Sequence, residues 1–138
     1  MDVERLKKLP LFRDLSQHDV ERVARWADEV DVPAGRMLME QGEFPHEFMI
    51  IEVGTAEVVH EGAHLADLGP GDFFGEFALL EEHRRTASVR TTSDTRVVVM
   101  HERDFRAMED EMPAVAQQVR AALTERRREH FEKTGEEA

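Results

Sequence analysis

From Arg36 to His101 the sequence is cut into short pieces by glycine, at Gly42, Gly54, Gly62 and the pair Gly69 and Gly71. The pieces between them are rich in β-branched and aromatic residues and too short for stable helices. They predict strands at about Arg36–Glu40, Phe48–Val53, Thr55–His60, His64–Leu68, Thr86–Thr91 and Arg96–His101. Many short strands at regular spacing argue against a parallel sheet. They indicate a mainly β fold, an antiparallel β-roll or jelly-roll barrel over about residues 30–101.

Helices flank that barrel. "LSQHDVERVARWADEV", Leu15 to Val30, reads as one, with Ser16 as N-cap and Val20, Val23, Ala24 and Ala27 on a common face. Asp19, at the third helical position, is a weaker form of the capping-box glutamate. "VPAG", Val32 to Gly35, breaks that register. Helical pattern returns at Glu102, and Pro113 suits the first turn of a final helix to about Phe131. Val115, Val119, Ala122 and Arg126 are spaced four, three and four apart, so they share one face of it. Two readings stay open. The stripe lies across the barrel mouth as a lid with Arg126 overhanging, or Arg126–Arg128 only complement the helix dipole. With no internal repeat and no linker, residues 1–138 are expected to form a single domain, its C-terminal helices spanning about 102–131.

The chain has 138 residues, no cysteine and a formal net charge of −12. That length can bury a core without staples, and thiolate metal sites and thiol nucleophiles are excluded. The charge disfavours nonspecific attraction to nucleic acid or anionic lipid, so an anionic ligand needs a local basic pocket. Apolar runs such as "VVVM", Val97 to Met100, are strand-sized, and "MDVERLKKLP" lacks the apolar core of a secretion signal. A cytoplasmic protein without a membrane span is expected.

The local basic pocket is suggested by "DFFGEFALLEEHRRTASVR", Asp72 to Arg90. Gly75 allows a tight turn or a close approach, and "EFALL", Glu76 to Leu80, suits a short helix. "TASVRT", Thr86 to Thr91, alternates like a strand. The first N–H groups of a short helix are unpaired and form an anion site. Arg85 follows nine residues after Glu76, where the chain can return to face that helix start. The arrangement predicts a phosphate held by main-chain N–H groups and a guanidinium, with Glu76 accepting from a sugar hydroxyl.

"GPGDFFGEFALL…RRTASVR" closely resembles the phosphate-binding cassette of the cyclic nucleotide-binding domain family. "LPLFRDLS", "VPAGRMLMEQGE" and "FMIIEVGTAEV" extend the resemblance from about Leu9 to Arg126. The family includes catabolite activator proteins, regulatory subunits of protein kinase A and cyclic nucleotide-gated channels. The resemblance implies that Glu76 accepts from the ribose 2′-hydroxyl, beside Gly75, and that N–H groups near Phe77 and Ala78 hold the cyclic phosphate. It implies a charge-assisted contact from Arg85 to that phosphate and further donors from Thr86. It also implies closure of the final helix over the base, with Arg126 where channel relatives carry a base-contacting arginine. Cyclic AMP is expected over cyclic GMP, as a ligand and not a cofactor. Arg84 stands where proline often precedes the phosphate-binding arginine, and the final helix offers only Phe131 as an aromatic to stack on the base.

Three other classes compete. A degenerate domain would keep the fold and act as a protein-interaction module. A metal-dependent, cupin-like enzyme needs convergent His and carboxylate ligands. Here His60 and His64 flank Gly62 at an expected hairpin tip facing solvent, and the other histidines lack ligand spacing, so no enzyme and no metal are expected. A DNA-binding regulator needs a helix-turn-helix, for which about seven residues after the final helix are too few. The expected partner is an effector protein or a fused effector domain.

Overall fold

The computed structural model describes residues 1–42, 47–75 and 87–134, with residues 126–134 described for their backbone only. Two helices open the chain, α1 (Val3–Lys8) and α2 (Gln17–Val23), each followed by a 3-10 turn, at Pro10–Phe12 and Ala24–Trp26. Their starts are capped by short polar side chains. Asp2 accepts from the Arg5 N–H at 3.0 Å and the Ser16 Oγ from the Asp19 N–H at 3.1 Å. The strands are β1 (Asp28–Val32), β2 (Met37–Met39), β3 (Glu47–Val53), β4 (Ala56–His60), β5 (Ala63–Leu68), β6 (Phe73–Phe74), β7 (Ser88–Thr91) and β8 (Thr95–His101). Helices α3 (Glu102–Glu111) and α4 (Pro113–Thr134) close the described chain.

The described strands make two antiparallel four-stranded sheets, ordered β1-β8-β3-β6 and β2-β7-β4-β5. The pairs β1 and β2, β3 and β4, β5 and β6, and β7 and β8 hold matching ranks, so each of those connections crosses between the sheets. This is the expected β-roll, mainly antiparallel β with flanking helices. Its central strands are buried on both faces. Met49, Ile51, Val97 and Val99 point between the sheets, while Phe48, Ile50, Val98 and Met100 point outward under the helices. That is why "FMII" and "VVVM" are unbroken apolar runs and not alternations.

Two expectations are corrected. The helix read from Leu15 to Val30 ends early, in the 3-10 turn at Ala24–Trp26, and Asp28–Val32 is the edge strand β1. Its pairing with β8, from Asp28 opposite Val99 to Val32 opposite Thr95, outweighs any helical preference. The two-residue strand β6 was not anticipated either; it exists through its pairing with Met49 and Ile50.

The final helix carries a wider apolar face than the narrow stripe predicts. Val115, Ala116, Val119 and Leu123 are buried together with Phe105 and Met108 of α3 and with Leu6, Phe12 and Val20 near the N-terminus. That cluster lies on the outer side of the β1-β8-β3-β6 sheet, not between the sheets. Arg126 belongs to α4 through its backbone, and its side chain lies outside the described atoms.

Candidate functional site

The two ends of the segment that carries the motif are described. β6 runs antiparallel to β3, with Phe73 opposite Ile50 and Phe74 opposite Met49, so the chain beyond it heads towards Glu47. It turns at Gly75 with φ +77°, a left-handed conformation that glycine adopts without steric cost. The chain returns at Ala87 and enters β7, whose Ser88 lies opposite Val59 near the end of β4. Both ends of the segment 76–86 therefore lie at one end of the barrel, where β3 begins and β4 and β8 finish. The segment links the two sheets there. Glu76, Phe77, Ala78, Arg85 and Thr86 lie outside the described residues, so of the expected site only Gly75 and the backbone of Arg126 have a described position.

The interior next to that segment is apolar. Phe74, Ala87, Val89, Val58 and Met39 are buried between the sheets, with Leu38, Leu65 and Ala66 partly buried around them. Sequence reasoning named polar contacts and left out this lining, although the small-residue alternation of "ASV" was its signal. An apolar floor of this kind suits the apolar body of a ligand.

Several charged groups elsewhere pair with one another. On the outer face of the β2-β7-β4-β5 sheet, Glu57 accepts from the Arg90 Nε at 3.1 Å and lies 3.1 Å from the His64 Nδ1. Arg90 and His64 together hold the Glu57 carboxyl below its ordinary value. His60 and His64 are about half exposed, at the tip and flank of the β4–β5 hairpin. Among the described residues no group of three or more His, Asp or Glu side chains could hold a metal ion. At the barrel end away from Gly75, Arg5 bonds Glu29 and, at 2.6 Å, Glu52, while Arg96 bonds Asp31 at 2.9 Å. Two open cavities of about 520 and 440 Å³ adjoin that network, both lined by Val53 and Arg96. They belong to that opposite end; the smaller one reaches Pro70 and Gly71 at the start of the motif, and neither is lined by Phe74, Gly75, Ala87 or Ser88.

The profile of the family described as "Cyclic nucleotide-binding domain" matches residues 29–111, which run from β1 to the end of α3. The chain belongs to the cyclic nucleotide-binding domain family. It is 31% identical over 129 residues to a cyclic AMP receptor protein of Thermus thermophilus, covering 90% of this chain and 60% of that protein. It is 30% identical over 105 residues to a cAMP-dependent protein kinase regulatory subunit of Emericella nidulans, covering 75% of this chain and 26% of that one. The chain thus spans less than two thirds of the length of either relative. The crystal structure of a cyclic nucleotide-binding domain from Methylobacillus flagellatus superposes with a TM-score of 0.79 at 23% identity, covering 95% of this chain and 79% of that one. That likeness is one of fold. No helix among the described residues is long and apolar enough to cross a membrane.

Proposed function

We propose that this chain is a regulatory module that binds a cyclic nucleotide monophosphate, cyclic AMP in preference to cyclic GMP, and does no chemistry on it. One observation carries the reading. Glu76, Arg85 and Thr86 stand at cassette spacing in a segment that leaves one sheet at left-handed Gly75 and enters the other at Ala87, beside an apolar interior. In this reading Glu76 accepts from the ribose 2′-hydroxyl and the N–H groups of Phe77 and Ala78 cradle the phosphate. Arg85 neutralises that phosphate, and Thr86 adds donors. Arg126, on α4, contributes to base selectivity, and α4 relays occupancy to an effector. A ligand shifts such a helix only through contacts that differ between its positions, and Arg126 is the contact proposed.

Calorimetric titration with cyclic AMP and cyclic GMP tests the reading. Truncating one partner of a desolvated charge pair costs about 2–5 kcal/mol, so Arg85→Ala is expected to weaken binding roughly 30-fold to several thousand-fold. Arg84→Ala is expected to do much less, because the cassette spacing assigns the phosphate to Arg85. Equal losses from the two would remove Arg85 as the clamp, and no heat with either nucleotide would leave the degenerate, non-binding domain as the reading.

A further inference from the structure

Gln41 follows β2 at the barrel end where the motif segment leaves and returns, and it has no part in the cassette. Its backbone N–H donates to the Ser88 Oγ at 2.9 Å. Ser88 opens β7, one residue beyond the exit at Ala87. The side-chain Oε1 of Gln41 accepts from the backbone N–H of Glu61 at 3.0 Å. Glu61 and Gly62 form the two-residue turn between β4 and β5, with His60 opposite Ala63. Glu61 has φ +50°, and no other described non-glycine residue has a positive φ. That conformation is uphill for an L-residue and persists only where surrounding contacts hold it. Main chain and side chain of one residue thus bond two separate elements bordering the same mouth.

We infer that Gln41 is a positioning residue for the nucleotide site, tying the exit of the cassette to the β4–β5 turn. The inference rests on the cyclic nucleotide reading proposed above. The phosphate contacts lie on a segment that must be held at both ends. The pairing of β6 with β3 holds its entry, while its exit is held by β7 and by the Ser88–Gln41–Glu61 chain of bonds. Ordering loose elements upon binding subtracts from affinity, so a pre-set exit and turn raise it. Gln41 touches no ligand in this account.

Cyclic AMP titrated calorimetrically into the wild type, Gln41→Ala, Gln41→Glu and Ser88→Ala is the test, with urea midpoints measured alongside. Losing one net hydrogen bond predicts affinity about 3- to 10-fold weaker in Gln41→Ala and in Ser88→Ala. Gln41→Glu keeps an acceptor oxygen for the Glu61 N–H and is expected to stay within about 2-fold of the wild type. Because the two bonds form one chain through Gln41, from the exit to the turn, the double variant Gln41→Ala/Ser88→Ala is expected to lose less than the product of the single losses. Wild-type affinity in Gln41→Ala, or a loss in Gln41→Glu equal to that of Gln41→Ala, overturns the inference. If Gln41→Ala does not fold, Ser88→Ala decides, and unchanged affinity there overturns it. Failure of the wild type to bind either cyclic nucleotide overturns the parent reading and this one with it, and shows before any variant is compared.

Discussion

Glu57 is a residue whose titration bears on stability. Arg90 and His64 hold its folded-state pKa below the ordinary value of 4.5. A depressed carboxylate stabilises the fold above its unfolded value, and that contribution is lost as pH falls through the folded one. Urea midpoints from about pH 6 to about pH 3 are expected to fall more steeply in the wild type than in Glu57→Gln. Equal slopes would show the cluster to be indifferent to folding. A second residue-scale prediction concerns Gly54, with φ +97°, where an added Cβ would meet the Asp94 carbonyl oxygen at 2.5 Å and the Thr95 Cα at 2.8 Å. Gly42, with φ +89°, has open space around that position. Left-handed strain alone costs about 1–2 kcal/mol, which is the loss expected for Gly42→Ala. Gly54→Ala adds a clash with backbone that cannot swing aside, so its urea midpoint is expected to drop further. Equal drops would mean that the turn before β4 yields easily.

At the scale of elements, what could be read from the sequence depended on where each element finds its partners. β3, β4 and β5 were legible because glycine turns bound them, and β8 because a β-branched apolar run fills it. β1 was not, since "DEVDV" carries its charges on an exposed edge and is a strand only because β8 lies beside it. The face of α4 was half legible: Val115 and Val119 follow a heptad-like step, whereas Ala116 and Leu123 widen the stripe towards α3 and the N-terminal turn. The cassette was legible as a spacing of charges and glycines, but its apolar floor was not, because only folding brings Met39, Phe74 and Ala87 together. The junction of α3 and α4 carries a prediction of its own. Glu109 accepts from Arg120 at 2.6 Å and from Arg106 at 3.1 Å, and the Arg120 guanidinium sits 5.4 Å from the Phe105 ring centroid. Burial raises the Glu109 pKa, but the two arginines outweigh it and the net shift is downward. Arg120→Ala removes an ion pair and a cation–π contact at once. Amide exchange is expected to quicken across Pro113–Thr134 while β3 and β8 stay protected. Unchanged exchange in α4 would show that apolar packing alone fixes it.

The described residues form two apolar clusters, one between the sheets and one under the helices, and β3 and β8 contribute alternate side chains to both. Neither cluster can be dismantled without exposing one face of those strands, so unfolding is expected to be a single cooperative transition. Trp26, the only tryptophan, packs against the helix-side cluster and reports on that half, while far-UV circular dichroism reports mainly on the sheets and helices together. The two probes are expected to share one urea midpoint. Leu123→Ala, at a side chain with no exposed surface, should lower the stability that both probes report by the same amount, about 2–5 kcal/mol. Nucleotide extends the same test to the other cluster, because the proposed site borders the barrel interior while Trp26 lies beyond the sheet. Ligand at about 100 times its Kd stabilises a cooperative fold by about 2.7 kcal/mol, and that increment should appear in full in the Trp26 transition. A Trp26 signal that melts ahead of the circular dichroism, or that ignores nucleotide while the sheet signal shifts, would mean that the helix layer unfolds independently. A relay from the barrel to α4 would then have no shared core to travel through.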